Sequence, residues 1–222
     1  MLSRVLATIR QDQLVTAGSK VLVGLSGGPD STALLHVLVA LAPRLGLGVE
    51  AVVVDHGLRP ESGTEATVVA ARCVAAGVPR AVVAVDVRQA RTRNVSWQDA
   101  ARRARLAALE ELATRNSCQH IALGHTADDQ AETILFRIVR GTGVAGLRGI
   151  PYRRGPFIRP LLDVRREEIV RFLAKRALPF VDDPSNVDRR FTRPRIRHDW
   201  IPFLSRENPR FVEGLLRLAA DA

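Results

Sequence analysis

The residue types and spacing best suited to chemistry occur in one short stretch, which reads Ser26, Gly27, Gly28, Pro29, Asp30, Ser31. Before it, Val21–Leu25 predicts a short buried strand, and the residues after it predict a helix. Glycines let a backbone approach an anion closely, and a helix N-terminus directs free N–H groups towards it. The two serines add hydroxyl donors. Strand, glycine turn and helix together predict a phosphate-binding loop.

Asp30 is the unusual member of this loop, because a carboxylate beside a phosphate is unfavourable unless a cation lies between them. We therefore expect Asp30 to hold Mg²⁺. The loop is not of the Walker A type, which ends in Gly-Lys-Ser/Thr, since the nearby Lys20 precedes the strand. It also lacks the Gly-x-Gly-x-x-Gly pattern of dinucleotide-binding loops. An ordinary glycine-rich turn is the structural alternative.

Strands and helices are predicted to alternate along the first 150 residues. The strands are expected at 21–25, 48–54, 80–86 and 119–124, and the helices at about 1–16, 29–41, 64–76, 96–115 and 126–140. Because the strands are apolar throughout, we expect a doubly wound α/β fold with a parallel sheet covered on both faces. Residues 151–222 form a basic, mainly helical extension, with helices from about residue 165 to 177 and after residue 209.

Ligands of such folds bind outside the carboxyl ends of the strands. Asp55 and His56 follow the second predicted strand, and His125 follows the fourth. We therefore favour functional roles for His56 and His125. His36 lies in an apolar helix and His120 at a strand start, which favours structural roles for both.

The composition indicates a protein with a nucleic-acid or other polyanionic partner. There are 33 basic and 23 acidic residues, a net charge of +10, and the excess is steeper after residue 150. Cys73 and Cys118 stand far apart in apolar surroundings, which predicts buried thiols, no zinc or iron–sulfur site, and a reducing, cytoplasmic location. No apolar run is long enough to cross a membrane.

Two arginine-rich segments could contact a phosphate backbone. Arg140–Ile150 carries four glycines between arginines and predicts a mobile loop, and Arg189–His198 has six basic residues around one aromatic. A linker and a solvated charged face are the respective alternatives. We expect contacts with RNA from Arg140, Arg148, Arg193, Arg195 and Arg197.

Taken together, these motifs resemble the tRNA(Ile)-lysidine synthetases, within the PP-loop superfamily of ATP pyrophosphatases. The resemblance rests on the 26–31 loop and on the sequence Gly124-His-Thr-Ala-Asp-Asp-Gln-Ala-Glu-Thr133. Further similar segments are 54–59, 140–149, 159–162, 183–186 and 193–198. They follow the family order over nearly the whole chain. The resemblance implies an adenine nucleotide α-hydrolase-like fold of Rossmann type, with residues 1–150 as the PP-loop domain.

The resemblance also implies a reaction, catalysed by an AMP-forming carbon–nitrogen ligase. The C2 oxygen of cytidine 34, in the CAU anticodon of tRNA(Ile), attacks the α-phosphate of ATP and releases pyrophosphate. The ε-amine of L-lysine then displaces AMP at C2, which changes the codon read from AUG to AUA. ATP, Mg²⁺, L-lysine and the tRNA are the implied substrates and partners, and a homodimer is one assembly open to the chain.

Residue roles follow from the same resemblance. The residues expected to bind ATP are Ser26, Gly27, Gly28, Pro29, Asp30, Ser31, Asp55 and His56. The residues expected to take part in catalysis are Asp30, His125, Asp128 and Asp129, with Asp30 as metal ligand. The lysine ammonium needs carboxylates to hold it, and we expect these to be Asp128, Asp129 and Glu132. A solvated helix start is the alternative for this acidic cluster.

Two features depart from the family pattern. Pro194 stands where the family usually has asparagine, which removes an amide side chain and a backbone N–H. The chain also ends after one further helix, so we expect a short form, either natural or truncated, without the C-terminal tRNA-binding domains. The alternatives are a tRNA thiolase of the same superfamily, an ATP pyrophosphatase that forms amides on a small metabolite, and a degenerate RNA-binding relative.

Overall fold

The computed structural model describes residues 1–55, 69, 73, 77–84, 97–181 and 189–222. Its sheet has six strands in the order β3-β2-β1-β4-β6-β5. The strands are β1 Lys20–Leu25, β2 Gly48–Asp55, β3 Arg80–Ala84, β4 His120–Ala122, β5 Arg153–Arg154 and β6 Phe157–Ile158. The helices of the described part are α1 Leu2–Gln11, α2 Pro29–Leu45, α3 Trp97–Arg115, α4 Ala127–Val139, α5 Val144–Leu147, α6 Arg166–Lys175, α7 Thr192–Arg195, α8 Ile201–Glu207 and α9 Phe211–Asp221, with a π-helix at Ile196–Trp200.

The core of the sheet is parallel, as the sequence predicted. In register, Leu22 of β1 pairs with Glu50 of β2 on one side and with Ile121 of β4 on the other. Strand β3 continues the parallel sheet beyond β2. Val21, Leu22 and Val23 of β1 are completely buried because both faces of the sheet are covered. The predicted α/β fold class is confirmed.

Alternate residues of each strand face opposite layers of helices. Val23 packs in the larger core, together with Ile9 of α1 and Leu34 of α2. Leu22 faces the other way and packs in a smaller core with Leu109 of α3. The sheet is therefore doubly wound, and its carboxyl edge opens between the two helix layers.

A short hairpin that the sequence analysis did not predict extends the sheet. Strands β5 and β6 pair antiparallel, and β6 pairs parallel with Ile121 and Ala122 of β4. Each strand has two residues, too few for a hydrophobic period to be recognised. Gly155 turns the chain with a φ of 56°. Residues after position 150 thus contribute both helices and strands.

The segment Arg140–Ile150 is not a loop throughout, which corrects the prediction. Helix α5 occupies Val144–Leu147, and it begins after Gly143, whose backbone is extended. The Arg137 guanidinium of α4 donates a hydrogen bond of 2.6 Å from Nη1 to the carbonyl oxygen of Gly146. This tertiary contact stabilises a turn that glycine content alone disfavours.

The C-terminal helices pack against α4. Ile134 and Leu135 of α4 share a third apolar cluster with Ile196 of the π-helix and with Val212 and Leu215 of α9. Pro194 is the third residue of α7. Its missing N–H costs no helical hydrogen bond there, because N–H groups in a first turn have no intrahelical acceptor.

Two helix ends differ from the predicted positions. Helix α1 ends at Gln11, well before residue 16, because Gln13 has a φ of 47° and Leu14 N–H bonds back to Ile9. Helix α2 continues past Pro43 to Leu45 and ends at Gly46, which has a left-handed backbone. Other predicted features lie outside the described residues: His56, most of 64–76, Ser96 and 182–186.

Candidate active site

The predicted phosphate loop joins β1 to α2, and its serines close it. The Ser26 N–H donates to the Oγ of Ser31 at 3.2 Å, and that hydroxyl donates to the carbonyl oxygen of Gly28, also at 3.2 Å. Gly27 has a φ of 79°, and a Cβ there would lie 2.8 Å from Val69 Cγ2, so only glycine fits. Among the described residues no side chain caps α2, so its N-terminal N–H groups suit an anion.

The end of β4 lies against this loop. A Cβ on Gly124 would stand 3.1 Å from the carbonyl carbon of Asp30 and from the nitrogen of Ser31. Glycine at 124 therefore allows the segment after β4 to approach the backbone of the first turn of α2 closely. His125 and helix α4 follow directly, so the topology brings the loop and the acidic cluster to the same edge of the sheet.

Asp30 has one oxygen with a partner and one without. Its Oδ2 accepts a hydrogen bond of 3.1 Å from Nη1 of Arg166. Its Oδ1 is buried and has no hydrogen-bond partner among the described residues. Desolvation by burial raises the pKa of Asp30 to about 6, against the lowering effect of Arg166, and the charge of Asp129 raises it further.

An unpartnered, buried carboxylate oxygen fits a cation ligand. The described residues contain no group of three or more His, Cys, Asp or Glu side chains that could hold a metal by themselves. Mg²⁺ does not require such a group, because it binds through one or two carboxylates, substrate phosphates and water. Asp30 Oδ1, beside the uncapped helix α2, suits that arrangement.

Helix α4 begins with a capping box. The Asp129 N–H donates to Oγ1 of Thr126 at 3.3 Å, and Oδ2 of Asp129 accepts the Thr126 N–H at 2.9 Å. Asp128 instead joins α4 to α6, since its carboxylate accepts the Arg166 N–H at 2.6 Å and Nε of Arg165 at 3.1 Å. The two neighbouring carboxylates therefore have different surroundings.

Glu132 and Asp129 share one arginine. Arg197 donates from Nε to Glu132 Oε1 at 2.5 Å and from Nη2 to Glu132 Oε2 at 3.2 Å. The same Nη2 lies 3.3 Å from Asp129 Oδ1. Burial raises the pKa of the Glu132 carboxyl, and the hydrogen bond from Arg197 opposes this rise. Arg197, which the sequence predicted on an RNA surface, lies within the site.

A group of cations that the sequence analysis did not assign surrounds His125. Arg159 is buried, and within the described part of the chain its Nε has no hydrogen-bond partner; the same holds for the buried Nε of Arg105 and Nδ1 of His125. Desolvation lowers the pKa of His125 to about 4; Asp129 opposes this, while Arg159, Arg102 and Arg105 lower the pKa further. Buried donors without partners point to an anionic ligand. The i, i+3 spacing of Arg102 and Arg105 on α3 was the available signal.

The remaining arginines predicted to contact RNA lie outside this group. Arg140 is exposed, with its guanidinium carbon 4.5 Å from the centre of the Phe136 ring. Arg148 is also exposed and donates from Nε to the carbonyl oxygen of Ala222 at 3.0 Å.

Arg193 and Arg195 each donate to a threonine hydroxyl at 3.3 Å. Arg193 bonds Thr133 of α4, and Arg195 bonds Thr192. Asp55 ends β2 at the site edge, and its side chain and His56 lie outside the described part of the structure. None of the described helices is long and apolar enough to cross a membrane.

Solved structures of other proteins resemble this chain in fold over most or all of its length. The structure of the U34-tRNA thiolase NcsA from Methanococcus maripaludis, solved with its [4Fe-4S] cluster, superposes with a TM-score of 0.79 at 19% identity, covering 100% of this chain and 79% of the thiolase. NMN synthetase from Francisella tularensis gives a TM-score of 0.54 at 14% identity and covers 80% of this chain and 69% of that one. These similarities concern the fold alone.

Sequence comparison gives more specific relatives, all named tRNA(Ile)-lysidine synthase. The protein of Solibacter usitatus is 42% identical over 94% of this chain, that of Thermobifida fusca 43% over 91%, and that of Thermosipho africanus 36% over 100%. The chain spans 46%, 62% and 52% of their respective lengths. Residues 2–204 match the sequence model of the PP-loop domain. With that match over most of its length, the chain belongs to the PP-loop domain family.

Proposed function

We propose that the chain ligates L-lysine onto C2 of cytidine 34 in the CAU anticodon of tRNA(Ile), with ATP converted to AMP and pyrophosphate. The observation that carries the proposal is Asp30. Its unpartnered Oδ1 stands at the uncapped end of α2, and the charges of Asp128 and Asp129 act on it directly. A site for phosphates and a site for a cationic nucleophile therefore adjoin. The names of the sequence relatives support the same reaction.

The first step forms the adenylated cytidine. The C2 oxygen of the base attacks the α-phosphorus of ATP, the bond to the β-phosphate oxygen breaks, and pyrophosphate leaves. The 26–31 loop and the N–H groups of α2 bind the leaving charge. Asp30 would hold Mg²⁺, which when bound would supply further neutralisation of the polyphosphate charge. Asp55 and His56 complete the nucleotide contacts in this proposal.

In this proposal the arginines around His125 bind the phosphate charge of the nucleotide that the 26–31 loop does not contact. Arg105 and Arg159 carry buried Nε donors that no described residue accepts from, and both act electrostatically on His125. They suit a phosphate of the nucleotide, which would supply the missing acceptors. His125 is neutral at physiological pH because its pKa lies at about 4. It therefore contacts the nucleotide or base as a neutral hydrogen-bonding group.

The second step joins lysine to the base. Asp129 and Glu132 hold the ε-ammonium group, and its nitrogen must lose a proton before it attacks C2. Glu132 suits the role of proton acceptor, because burial raises its pKa. The carbon–oxygen bond to the adenylate then breaks and AMP leaves. Asp128, whose carboxylate accepts the N–H of Arg166, is the third carboxylate of this set in the proposal.

The tRNA lies against the arginine-rich segments. Arg140, Arg148 and Arg193 are exposed, and Arg195 is partly exposed. A net charge of +10 favours association with the phosphate backbone. Residues 151–222 act in this proposal as an extension of the same catalytic core, since β6 joins the sheet and Arg197 enters the site.

The test is transfer of labelled lysine to an unmodified tRNA(Ile) with a CAU anticodon, in the presence of ATP and Mg²⁺. A matched tRNA with uridine at position 34 serves as control. We expect transfer to the first tRNA alone, with one AMP released per lysine joined. ATP cleavage without lysine transfer would contradict lysine as the nucleophile. If no AMP formed with any tRNA, the proposal that the chain is an AMP-forming enzyme would be wrong.

A thiolase reaction would require a cysteine at the site. Cys118 lies elsewhere, at the amino ends of the strands, where the neighbouring Gln119 N–H bonds Lys20 and where Glu50 is a charged neighbour of the thiol. Cys73 is buried, and its thiol lies 3.5 Å from the carbonyl oxygen of Val69. The described geometry of these two residues favours lysine over sulfur as the transferred group.

A further inference from the structure

The side-chain amide of the buried Gln130 makes hydrogen bonds with the backbone of one short segment, residues 148–150. It lies in α4, one residue after Asp129, and is 6% exposed. Its Oε1 accepts the Ile150 N–H at 2.6 Å. Its Nε2 donates to the carbonyl oxygens of Arg148 and Ile150, each at 3.2 Å. A single side chain thus makes three hydrogen bonds around residue 149.

Gly149 is matched to this amide in two ways. Its φ is 64°, a left-handed backbone that glycine adopts without strain. A Cβ at this position would lie 2.3 Å from Oε1 of Gln130. Any other residue at 149 would therefore both strain the backbone and displace the amide.

The same helix contacts the segment a second time. Arg137 of α4 donates from Nη1 to the carbonyl oxygen of Gly146 at 2.6 Å. Helix α4 also carries Asp129 and Glu132, whose carboxylates bind Arg197. The position of the 140–150 segment is consequently fixed relative to the acidic cluster through one rigid element.

We propose that Gln130 is a positioning residue for the polynucleotide substrate. It holds the 140–150 segment, with the exposed Arg140 and Arg148, at a set distance and orientation from Asp129 and Glu132. A segment with four glycines would otherwise lose much conformational entropy when RNA binds, and a fixed segment avoids that cost. This inference rests on the proposed function, because it assigns the substrate's docking surface.

The test compares Gln130→Ala with Gln119→Ala. Gln119 is a matched control, because its side chain also accepts a backbone N–H, that of Lys20 at 2.8 Å, and donates to a backbone carbonyl, that of Ser117 at 2.8 Å, but at the opposite end of the sheet. The first measurement is hydrogen exchange of the Ile150 amide. We expect faster exchange in Gln130→Ala and no change in Gln119→Ala.

The second measurement is tRNA affinity by filter binding, together with lysine transfer. We expect Gln130→Ala to weaken tRNA binding and raise the KM for tRNA about tenfold or more, with little change in the KM for ATP. Gly149→Ala should have the same effect, because the added Cβ would displace the Gln130 amide. Gln130→Glu, which keeps an acceptor for Ile150 but loses both donors, serves if the alanine variant does not fold.

The outcomes separate this inference from the proposed function. If the wild type binds tRNA but transfers no lysine, weaker binding by Gln130→Ala still supports the positioning role. Unchanged tRNA affinity in a variant with faster Ile150 exchange would overturn it. A wild type that binds no tRNA would overturn it as well.

Discussion

The Arg197 guanidinium binds both carboxylate oxygens of Glu132 and also contacts Asp129. Glu132 is almost completely buried, with a side-chain exposure of 5%, whereas Arg197 retains 28%. The arginine comes from the π-helix and the carboxylates from α4. The C-terminal segment therefore completes the acidic part of the site, and the pair can be tested by mutation.

Arg197→Ala should lower the free energy of unfolding by about 3 kcal/mol, because it leaves a buried carboxylate without its partner. In the double variant Arg197→Ala, Glu132→Gln the free energy of unfolding should fall by less than the sum of the falls in the two single variants. The reason is that no buried charge then remains unpaired. Urea denaturation of the four proteins measures both quantities. Additive losses would show that the two side chains do not interact in solution.

Asp30→Asn should abolish pyrophosphate release and leave the fold intact. The amide cannot ligate Mg²⁺ as a carboxylate does, and burial already disfavours the charged form of Asp30 in the absence of a cation. Pyrophosphate release with the substrate tRNA measures the first effect, and circular dichroism the second. Glu111→Gln, at an exposed ion pair on α3, is the control. Normal turnover in Asp30→Asn would exclude the metal role.

His125 should make the protein less stable as the pH falls. Its pKa is lowered from 6.5 to about 4, so the unfolded chain takes up this proton first. Above pH 6.5 the group contributes nothing, and between pH 6.5 and 4 the folded state loses stability, by about 2 kcal/mol at pH 5. His125→Asn should therefore lose less stability than the wild type between pH 7.5 and 5 in urea titrations. Equal losses in both proteins would contradict a neutral, desolvated imidazole.

Arg105→Gln should raise the KM for ATP about tenfold or more without lowering stability. The buried Nε of Arg105 has no partner among the described residues, and burial lowers the pKa of its guanidinium, so this side chain suits a bound phosphate. The control is Arg103→Gln, an exposed arginine on the same helix. Steady-state kinetics and thermal unfolding measure the two effects. A lower melting temperature with an unchanged KM would assign Arg105 to the fold instead.

The arrangement of strands and the phosphate loop could be predicted from local sequence. Buried parallel strands are continuous apolar runs, and the glycine turn with a following helix is a local signal. For this reason the doubly wound fold, the β1–α2 loop and a helix beginning at about residue 126 were all expected. The two-residue strands β5 and β6 were not, because their pairing with β4 is a tertiary contact that leaves no period in the sequence.

The sequence by itself thus determined the fold class and the residue types at the carboxyl edge of the sheet. Tertiary structure alone decided which charges meet. Arg197 stands 65 residues from Glu132, and Arg166 stands 136 residues from Asp30, so neither pair has a sequence signal. The sequence offered the i, i+3 spacing of Arg102 and Arg105, but not the burial of Nε in Arg105 and Arg159, because desolvation depends on what packs around a side chain and not on its neighbours in the chain.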